Sequence, residues 1–474
     1  MRSYLFLPLI LSAGQLLAQD AIVYDQFFTS KTIRVDYFHT GTKEKEWFSI
    51  DRVYEEGAWP GSRVNLVDTL DYGEYVMRVY DLATKKLIFS RGFSTIFNEW
   101  QTTDEGGTGV NKTISETVRF PFPKGTIQLT LARRDKRMVF HEVFSTTVNP
   151  NSGIQINKEK RQPSFKTSTL IKSGDPSVKV DLVILGDGYT KAEMGKFRRD
   201  AKRLNDVMFN TEPFKGRKND FNVWTVEVES NDSGIDIPDK GVWRNTALGT
   251  QYNTFGLPRY VLTEENKAVR DIASAVPYDF ICILLNDSRY GGGGIYNLYS
   301  TTYTGEKVAE QEWRMDYMYV HEFGHSFAGL GDEYYASSTA YTEFYMPGVE
   351  PWEANITALV DKNNVKWKSF VSDSTPIPTP WEKVQYDSVQ ILWRKLDRLA
   401  PDFYSKDTPL LVSAEDILKA SKWVGKVGAY EGAGYASTGL YRPGVNCRMF
   451  SLSMTDFDPV CKAAIERVID FYSK

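Results

Sequence analysis

Two histidines four residues apart, His321 and His325, form the strongest chemical signal in the sequence. On an α-helix this spacing places both imidazoles on one face, one turn apart, where they could bind one metal ion. Glu322 lies between them in the pattern His-Glu-x-x-His, which suits zinc with the glutamate as general base. The chain has only 4 histidines. Two of them would rarely lie four residues apart, the spacing of two metal ligands on a helix, by chance. The alternative is a helix with two half-buried histidines and a solvated glutamate.

The third ligand of such a site should be a carboxylate, because the other two histidines lie far away in the N-terminal part of the chain. Gly329 or Gly331 can end the helix in a left-handed turn, and the returning chain would bring Asp332 to the metal. Glu333 is the competing ligand, and turn chemistry with a surface ion pair is the alternative for both acids. A glutamate further along the chain is a third option; the candidates are Glu343, Glu350 and Glu353.

The elements that must position these residues follow from apolar periodicity. The helix with the histidines should extend over about residues 306–330, where few helix breakers occur. A capping box of Thr190 and Glu193 predicts a second helix to about Met208. Between them we expect an α/β layer with a last, amphipathic helix at the C-terminus. The predicted strands are Val178–Leu185, Asn222–Val228 and Tyr278–Leu285, and the last helix is Pro459–Tyr472.

Four consecutive glycines, 291–294, follow the third of these strands. They lack the Lys-Ser/Thr that a phosphate-binding loop would place after them. An edge strand bordering a substrate groove is the better interpretation, because glycines allow another backbone to approach closely. The predicted substrate-binding residues are therefore Gly292, Gly293 and Gly294.

The N-terminal part of the chain has a different pattern. Short runs of alternating apolar and polar residues, such as Tyr75–Tyr80, recur between turn residues and predict half-buried strands. A chain of 474 residues also favours more than one domain. We expect an α+β protein, with a β-sandwich over residues 20–150, a polar linker over 151–170 and a catalytic domain over 171–474.

The first 18 residues have the order of a secretory signal peptide: an early arginine, an apolar run and a small residue, with cleavage expected after Ala18. They predict a secreted, periplasmic or cell-surface protein. No later segment approaches the ~20 apolar residues of a membrane span. The net charge is −4 and no basic run occurs, which argues against a nucleic-acid partner. The sequence leaves the oligomeric state open.

The chain has 3 cysteines. Cys282 lies in an apolar run typical of an inert core thiol. Cys447 and Cys461 could form one disulfide in an oxidising compartment. Two buried free thiols are the alternative.

Several of these segments together resemble the IgA-cleaving zinc metallopeptidase family of bacteria. The resemblance covers roughly residues 170–474 and rests on His321–Tyr335, the glycine-rich segment, Glu431–Tyr435, and Leu440–Pro443 with Cys447-Arg448-Met449. The N-terminal segment resembles that family's N-terminal module. The resemblance implies a metzincin-like domain, one zinc ion per chain, and endopeptidase activity on a protein or peptide. In metzincins a glycine turn precedes the third metal ligand by three residues. Gly329 and Asp332 keep this interval, although the third ligand of metzincins is a histidine.

Two further roles come from the same analogy. Metzincins place a methionine in a tight turn beneath the metal, for which Met449 is the first candidate and Met454 the second. Tyr441 could stabilise the oxyanion, as a tyrosine does in some zinc peptidases. The sequence thus predicts a secreted zinc endopeptidase with Glu322 as general base. The rival hypotheses are an exported binding module on a degenerate peptidase fold, recognising host protein or glycan, and a purely structural zinc.

Overall fold

A computed structural model describes residues 22–159, 165–305, 309–336, 339, 341, 344–398, 400 and 402–474. The signal peptide predicted for residues 1–18 lies outside these residues, as does Glu343. None of the helices in the described ranges combines the length and the apolar character that a membrane span needs.

The N-terminal part is a β-sandwich of two four-stranded sheets, ordered β5-β1-β2-β8 and β4-β3-β6-β7. Alternate residues of three strands point into the core between the sheets, as the period-two pattern predicts; they are Ile33, Val35 and Tyr37, Tyr75, Met77 and Val79, and Ile127, Leu129 and Leu131. The strands are β1 Phe28–Gly41, β2 Glu46–Ala58, β3 Tyr75–Asp81, β4 Leu87–Phe93, β5 Lys112–Pro123, β6 Ile127–Arg134, β7 Phe140–Val148 and β8 Ile156–Asn157, and two short helices are α1 Tyr24–Phe27 and α2 Ile96–Gln101.

The C-terminal part contains a six-stranded mixed sheet, ordered β13-β14-β12-β10-β11-β9. The central strands are parallel, whereas β13 and β9 run antiparallel at the two edges. The strands are β9 Lys166–Ile171, β10 Val180–Asp187, β11 Phe221–Glu227, β12 Phe280–Leu285, β13 Gly292–Ile295 and β14 Tyr299–Tyr303, and a separate hairpin consists of β15 Tyr430–Ala433 and β16 Ala436–Arg442. The helices are α3 Met194–Met208, α4 Asn266–Ala273, α5 Trp313–Ala328, α6 Lys383–Trp393, α7 Phe403–Ala420 and α8 Pro459–Tyr472.

Both faces of this sheet are buried, which explains why its central strands are almost continuously apolar. On one face Leu182 and Ile184 of β10 join a core that includes Phe323 of α5. On the other face Val183 and Leu185 join a core that includes Phe97 of α2. The N-terminal part therefore covers one face of the sheet, while α5 lies against the opposite face.

The α+β fold class with an N-terminal β-sandwich is confirmed. Helix α8 has the predicted bounds, and α3 follows a 3₁₀ turn that has the predicted capping box of Thr190 and Glu193. Two short strands begin inside the predicted linker: β8 pairs with β2 of the sandwich, and β9, which ends one residue beyond the linker, pairs with β11 of the second sheet. The domain boundaries themselves stay a prediction.

Candidate metal and catalytic centre

Helix α5 carries both histidines and ends one residue before Gly329. Gly329 has a φ of 58° and its N–H donates to the His325 carbonyl, 3.0 Å away. A β-carbon on Gly329 would lie 2.6 Å from the Trp352 ring, so both the left-handed backbone and the close packing require glycine. Gly331 is then held by Asn355, whose side chain bonds the Gly331 N–H and carbonyl at 2.8 and 2.9 Å. These contacts turn the chain back toward the helix.

The turn brings Asp332 to the two histidines. Its Oδ1 lies 3.1 Å from Nε2 of His321 and 3.3 Å from Nε2 of His325, and the two Nε2 atoms are 3.2 Å apart. Ligand atoms bound to a tetrahedral zinc at 2.0–2.1 Å are separated by roughly 3.3 Å. The three side chains therefore fit one zinc ion without rearrangement.

Hydrogen bonds fix both imidazoles in the orientation that a metal needs. Nδ1 of His321 lies 3.1 Å from the Arg448 carbonyl, and Nδ1 of His325 lies 2.5 Å from the Leu330 carbonyl. Because a carbonyl only accepts, these contacts favour a proton on each Nδ1, and each Nε2 is the nitrogen that faces Asp332 and could bind a metal. The Tyr317 hydroxyl also lies 3.1 Å from Nδ1 of His321. The second oxygen of Asp332 accepts a hydrogen bond from the Tyr435 phenol at 2.7 Å.

The electrostatics at this position favour positive charge. Burial alone would lower the pKa of His325, but the neighbouring Asp332 carboxylate outweighs it and raises the pKa to about 9. A cation bound between these groups would satisfy the carboxylate in place of that proton.

Glu322 lies beside the three ligands and is largely buried. Burial raises the pKa of its carboxyl group, against the opposing effect of His321 and His325. It lines a cavity together with His325 and Asp332. A carboxylate there can accept a proton from a water next to the ligand set.

The cavity next to Glu322 is built by both parts of the chain. Its wall includes Glu74 and Glu99 from the sandwich and Arg259 from the C-terminal part. Oε2 of Glu99 accepts hydrogen bonds from the phenols of Tyr260 at 2.6 Å and Tyr341 at 2.8 Å. The N-terminal part thus borders the site, which the sequence did not indicate.

Strand β13 contains the three glycines predicted to bind substrate and is an outer strand of the sheet. Gly292 and Gly294 line the cavity. A β-carbon on Gly294 would overlap the carbonyl oxygen of Glu322 and lie 3.1 Å from Cβ of His325. The Gly292 N–H and carbonyl bond to Arg259 and Val261 at 3.1 Å, so this end of the edge is already paired. The glycines therefore let α5 approach the sheet and leave only part of the edge for a substrate.

Among the described residues, the competing acids Glu333, Glu350 and Glu353 have other partners than the histidines. Oε1 of Glu333 accepts hydrogen bonds from Asn355 at 2.9 Å and from the thiol of Cys461 at 3.3 Å. The side chains of the neighbouring residues Asp332 and Glu333 therefore point in different directions. Glu350 forms an ion pair with Lys366, and Glu353 accepts from the Tyr345 phenol at 3.0 Å.

The predicted disulfide is not formed in the structure. Cys447 and Cys461 are buried thiols whose sulfur atoms are 3.8 Å apart, whereas a disulfide bond measures about 2.05 Å. Cys282 is also a free, buried thiol, as its apolar surroundings predicted.

Tyr441 is not among the residues that line the cavity beside Glu322. Tyr441 belongs to β16, its backbone pairs with Thr357, and its phenol bonds Glu431. The hairpin directs Tyr435, not Tyr441, toward Asp332. Tyr435 lies in the turn between β15 and β16, and its contact with Asp332 joins segments about a hundred residues apart, which the sequence alone does not indicate.

Met449 lies directly beneath α5. It is fully buried, and a β-carbon on Gly324 would lie 3.2 Å from its sulfur. The adjoining turn is closed by a hydrogen bond from the Phe450 N–H to the Cys447 carbonyl at 2.9 Å. Met454, the second candidate, is 49% exposed and does not occupy this position.

Comparison with known families is consistent with this geometry. The model of the family described as IgA Peptidase M64 matches residues 168–469. The chain belongs to the IgA peptidase M64 family. The N-terminal module of M64 peptidases matches residues 23–145, and among curated proteins none matches this chain. The protein is therefore a metallopeptidase by family, and its substrates are proteins or peptides.

Two residues of this M64 site had no signal in the sequence. Arg259 and Tyr334 are hydrogen-bonded to each other and line the cavity beside Glu322. Arg259 lies in a loop 63 residues before Glu322, and no spacing motif connects the two. Tyr334 follows the ligand segment directly and is one of 27 tyrosines, so only the fold distinguishes it.

Substituting Gly294 by alanine should disturb the M64 site through packing alone. The added methyl group would overlap the Glu322 carbonyl, and shifting α5 should cost about 1–3 kcal/mol of stability. We expect a lower melting temperature and a lower zinc content, measured by thermal unfolding and elemental analysis. Gly57→Ala is the matched control, since no atom lies within 4 Å of its added carbon. Equal behaviour of the two variants would contradict the close approach.

Glu353 predicts a pH dependence of stability. Burial, reinforced by Glu74, raises its pKa from 4.5 to about 7, so the folded state favours the neutral carboxyl. The resulting stabilisation is complete below pH 4.5 and is lost as the pH rises through about 7. Glu353→Gln removes this loss, and we expect it to gain up to about 3 kcal/mol over wild type between pH 5 and pH 8. Denaturant unfolding of both proteins at pH 5 and pH 8 measures this difference in the free energy of unfolding. If the free energies of the two proteins changed equally with pH, Glu353 would already be ionised in the folded protein.

Proposed function

We propose that this M64 member is a secreted endopeptidase that uses one catalytic zinc ion and Glu322 as general base. The observation that carries the proposal is the convergence of the ligand atoms of His321, His325 and Asp332 at 3.1–3.3 Å. Both Nδ1 atoms are occupied by carbonyls, which leaves the opposite nitrogens for a metal. An endopeptidase is favoured because the cavity is bordered by an edge strand onto which an extended peptide could add.

The side chains around the ligands have distinct tasks in peptide hydrolysis. Zinc, when bound, supplies a Lewis acid that acidifies water and polarises a carbonyl. Glu322 accepts the proton of the attacking water and delivers it to the nitrogen of the leaving amine. Its raised pKa suits this task, because a base that must also release the proton works best near the ambient pH.

The negative charge that develops on the scissile carbonyl needs a partner. Arg259 and Tyr334 take this role in place of Tyr441, because they line the same cavity as Glu322. Their mutual hydrogen bond would hold the guanidinium in place before the substrate arrives, which is the condition for electrostatic stabilisation.

Export is proposed from the first 18 residues, whose order of charge, apolar run and small residue is that of a signal peptide. Expression of the full chain in a bacterial host with sequencing of the mature N-terminus tests it. A product that begins at Gln19 supports cleavage after Ala18, and a cytoplasmic product that retains Met1 contradicts export.

The activity is tested on the mature protein with unfolded casein as substrate. We expect internal cleavage that stops when a chelator removes zinc and returns when zinc is restored. Product masses distinguish internal cuts from removal of terminal residues. Zinc bound at the histidines without cleavage of casein or a panel of folded proteins would favour the binding-module hypothesis instead.

A further inference from the structure

A second cluster of metal-ligating side chains lies behind the first. Glu333, Cys447, Asp458 and Cys461 are all buried, and their ligand atoms lie within 4.8 Å of one another. They come from three segments: the residue after Asp332, the turn that precedes Met449, and the start of α8. The cluster is separate from the histidine site and has no part in the proposed hydrolysis.

The distances in this cluster suit a metal ion better than a disulfide. The sulfur atoms of Cys447 and Cys461 are 3.8 Å apart. Two thiolates bound to a tetrahedral zinc at about 2.3 Å are separated by roughly 3.8 Å. The sulfur of Cys461 also lies 3.3 Å from Oε1 of Glu333, so the carboxylate of Glu333 lies next to the two sulfur atoms.

The two carboxylates each leave one oxygen for such an ion. Oδ1 of Asp458 caps α8 by accepting from the N–H groups of Val460 at 2.7 Å and Cys461 at 2.9 Å, and its Oδ2 is buried without a hydrogen-bond partner. Oε1 of Glu333 accepts from Asn355, and its Oε2 is likewise buried without a partner. Unpaired carboxylate oxygens are costly in a protein interior unless a cation accompanies them.

We propose that Glu333, Cys447, Asp458 and Cys461 bind a second, structural metal ion, a thiophilic divalent cation such as zinc. Four protein ligands and complete burial are typical of a structural rather than a catalytic site. The ion would join the segment after Asp332, the Met449 turn and α8. The Glu333 N–H already donates to the Met449 carbonyl at 2.9 Å, so the site would fix the backbone that presents Asp332 to the catalytic metal.

Cobalt substitution tests the second site without any mutation. The histidine site contains no cysteine, so a thiolate-to-cobalt charge-transfer band in the near ultraviolet reports on the second site alone. We expect this band in the cobalt-loaded full chain. It should persist in Cys282→Ser, the matched control for the remaining thiol, and disappear in Cys461→Ser.

Metal counting separates this proposal from the proposed function. We expect about two zinc ions per wild-type chain, about one in His325→Ala, about one in Cys447→Ser/Cys461→Ser, and a negligible amount in the combined variant. The second site would be overturned if wild type held one zinc ion, His325→Ala held none, and cobalt-loaded wild type showed no thiolate band. The catalytic site would be unaffected by that result.

Thiol titration of the wild-type chain decides the matter if the cysteine variants fail to fold. After unfolding with a chelator and without reductant, a metal-bound pair releases all 3 thiols of the chain together with the ion. One reactive thiol would show that Cys447 and Cys461 form a disulfide. Three thiols without a cobalt–thiolate band would show a hydrogen-bonded thiol pair. Either of these outcomes overturns the proposal.

Discussion

Glu322→Gln is expected to lower kcat for casein cleavage by about a thousandfold while zinc remains bound. The amide keeps the size of the side chain but cannot accept the proton of water, so the loss should fall on kcat rather than KM. Glu322 is not one of the three side chains whose ligand atoms converge, and it lines the cavity next to them. Steady-state kinetics and elemental analysis on the same preparation measure both quantities.

Glu350→Gln is the control for this substitution. Glu350 is an ion-paired glutamate outside the cavity, so the same chemical change there should leave kcat within a few-fold of wild type. An active Glu322→Gln enzyme would eliminate Glu322 as the base. A Glu322→Gln enzyme without zinc would give no information on the base and would place Glu322 in the ligand set, against the geometry.

Local patterns predicted the parts of the site that adjoin one another in the sequence. The spacing of His321 and His325 predicted a shared helical face, and the glycine turn predicted the return of Asp332. Each of these inferences involves fewer than a dozen residues, over which helix periodicity and left-handed glycine conformations determine the path of the chain. Helix α8 was equally accessible, since its apolar residues recur at helical spacing and Asp458 caps it.

Contacts between segments far apart in the chain could not be predicted from the sequence. Tyr435 lies in the turn between β15 and β16 with a φ of 65°, whereas Tyr441 lies in β16 opposite Glu431. Arg259 reaches the cavity because its loop runs along β13. Helices α6 and α7 were not predicted, since Pro409 lies inside α7 and few of its residues are buried.

The N-terminal part contributes to the cavity because it packs against the second sheet, which is also a contact between segments far apart in the sequence. Helix α2 covers one face of the second sheet, where Ile96 and Phe97 share a core with Leu262 and Tyr299. The Ser94 N–H also donates to the Tyr296 carbonyl at 3.0 Å, next to the end of β13. A segment that shares the core of the sheet cannot be removed without exposing that core, so the sandwich and the catalytic part act as one structural unit.

Asp332→Ala is expected to release the catalytic zinc and abolish cleavage. Removing one of three protein ligands should weaken zinc binding by more than the 10–100-fold that is typical of losing an outer-shell partner. Zinc content should fall by about one ion per chain, and added zinc should restore little activity. Elemental analysis and casein cleavage at several zinc concentrations measure the effect. The result differs from that of Glu322→Gln, which loses activity and keeps the metal.

Two milder substitutions set the scale for Asp332→Ala. Tyr435→Phe removes the hydrogen bond to Oδ2 of Asp332 and should weaken zinc binding by about 10–100-fold, so that excess zinc restores activity. Tyr441→Phe removes a phenol that bonds Glu431, and zinc content and kcat should stay at the wild-type level. If Asp332→Ala retained its zinc and its activity, another carboxylate would have to complete the ligand set, and the convergence of Asp332 with the two histidines would be an ion pair only.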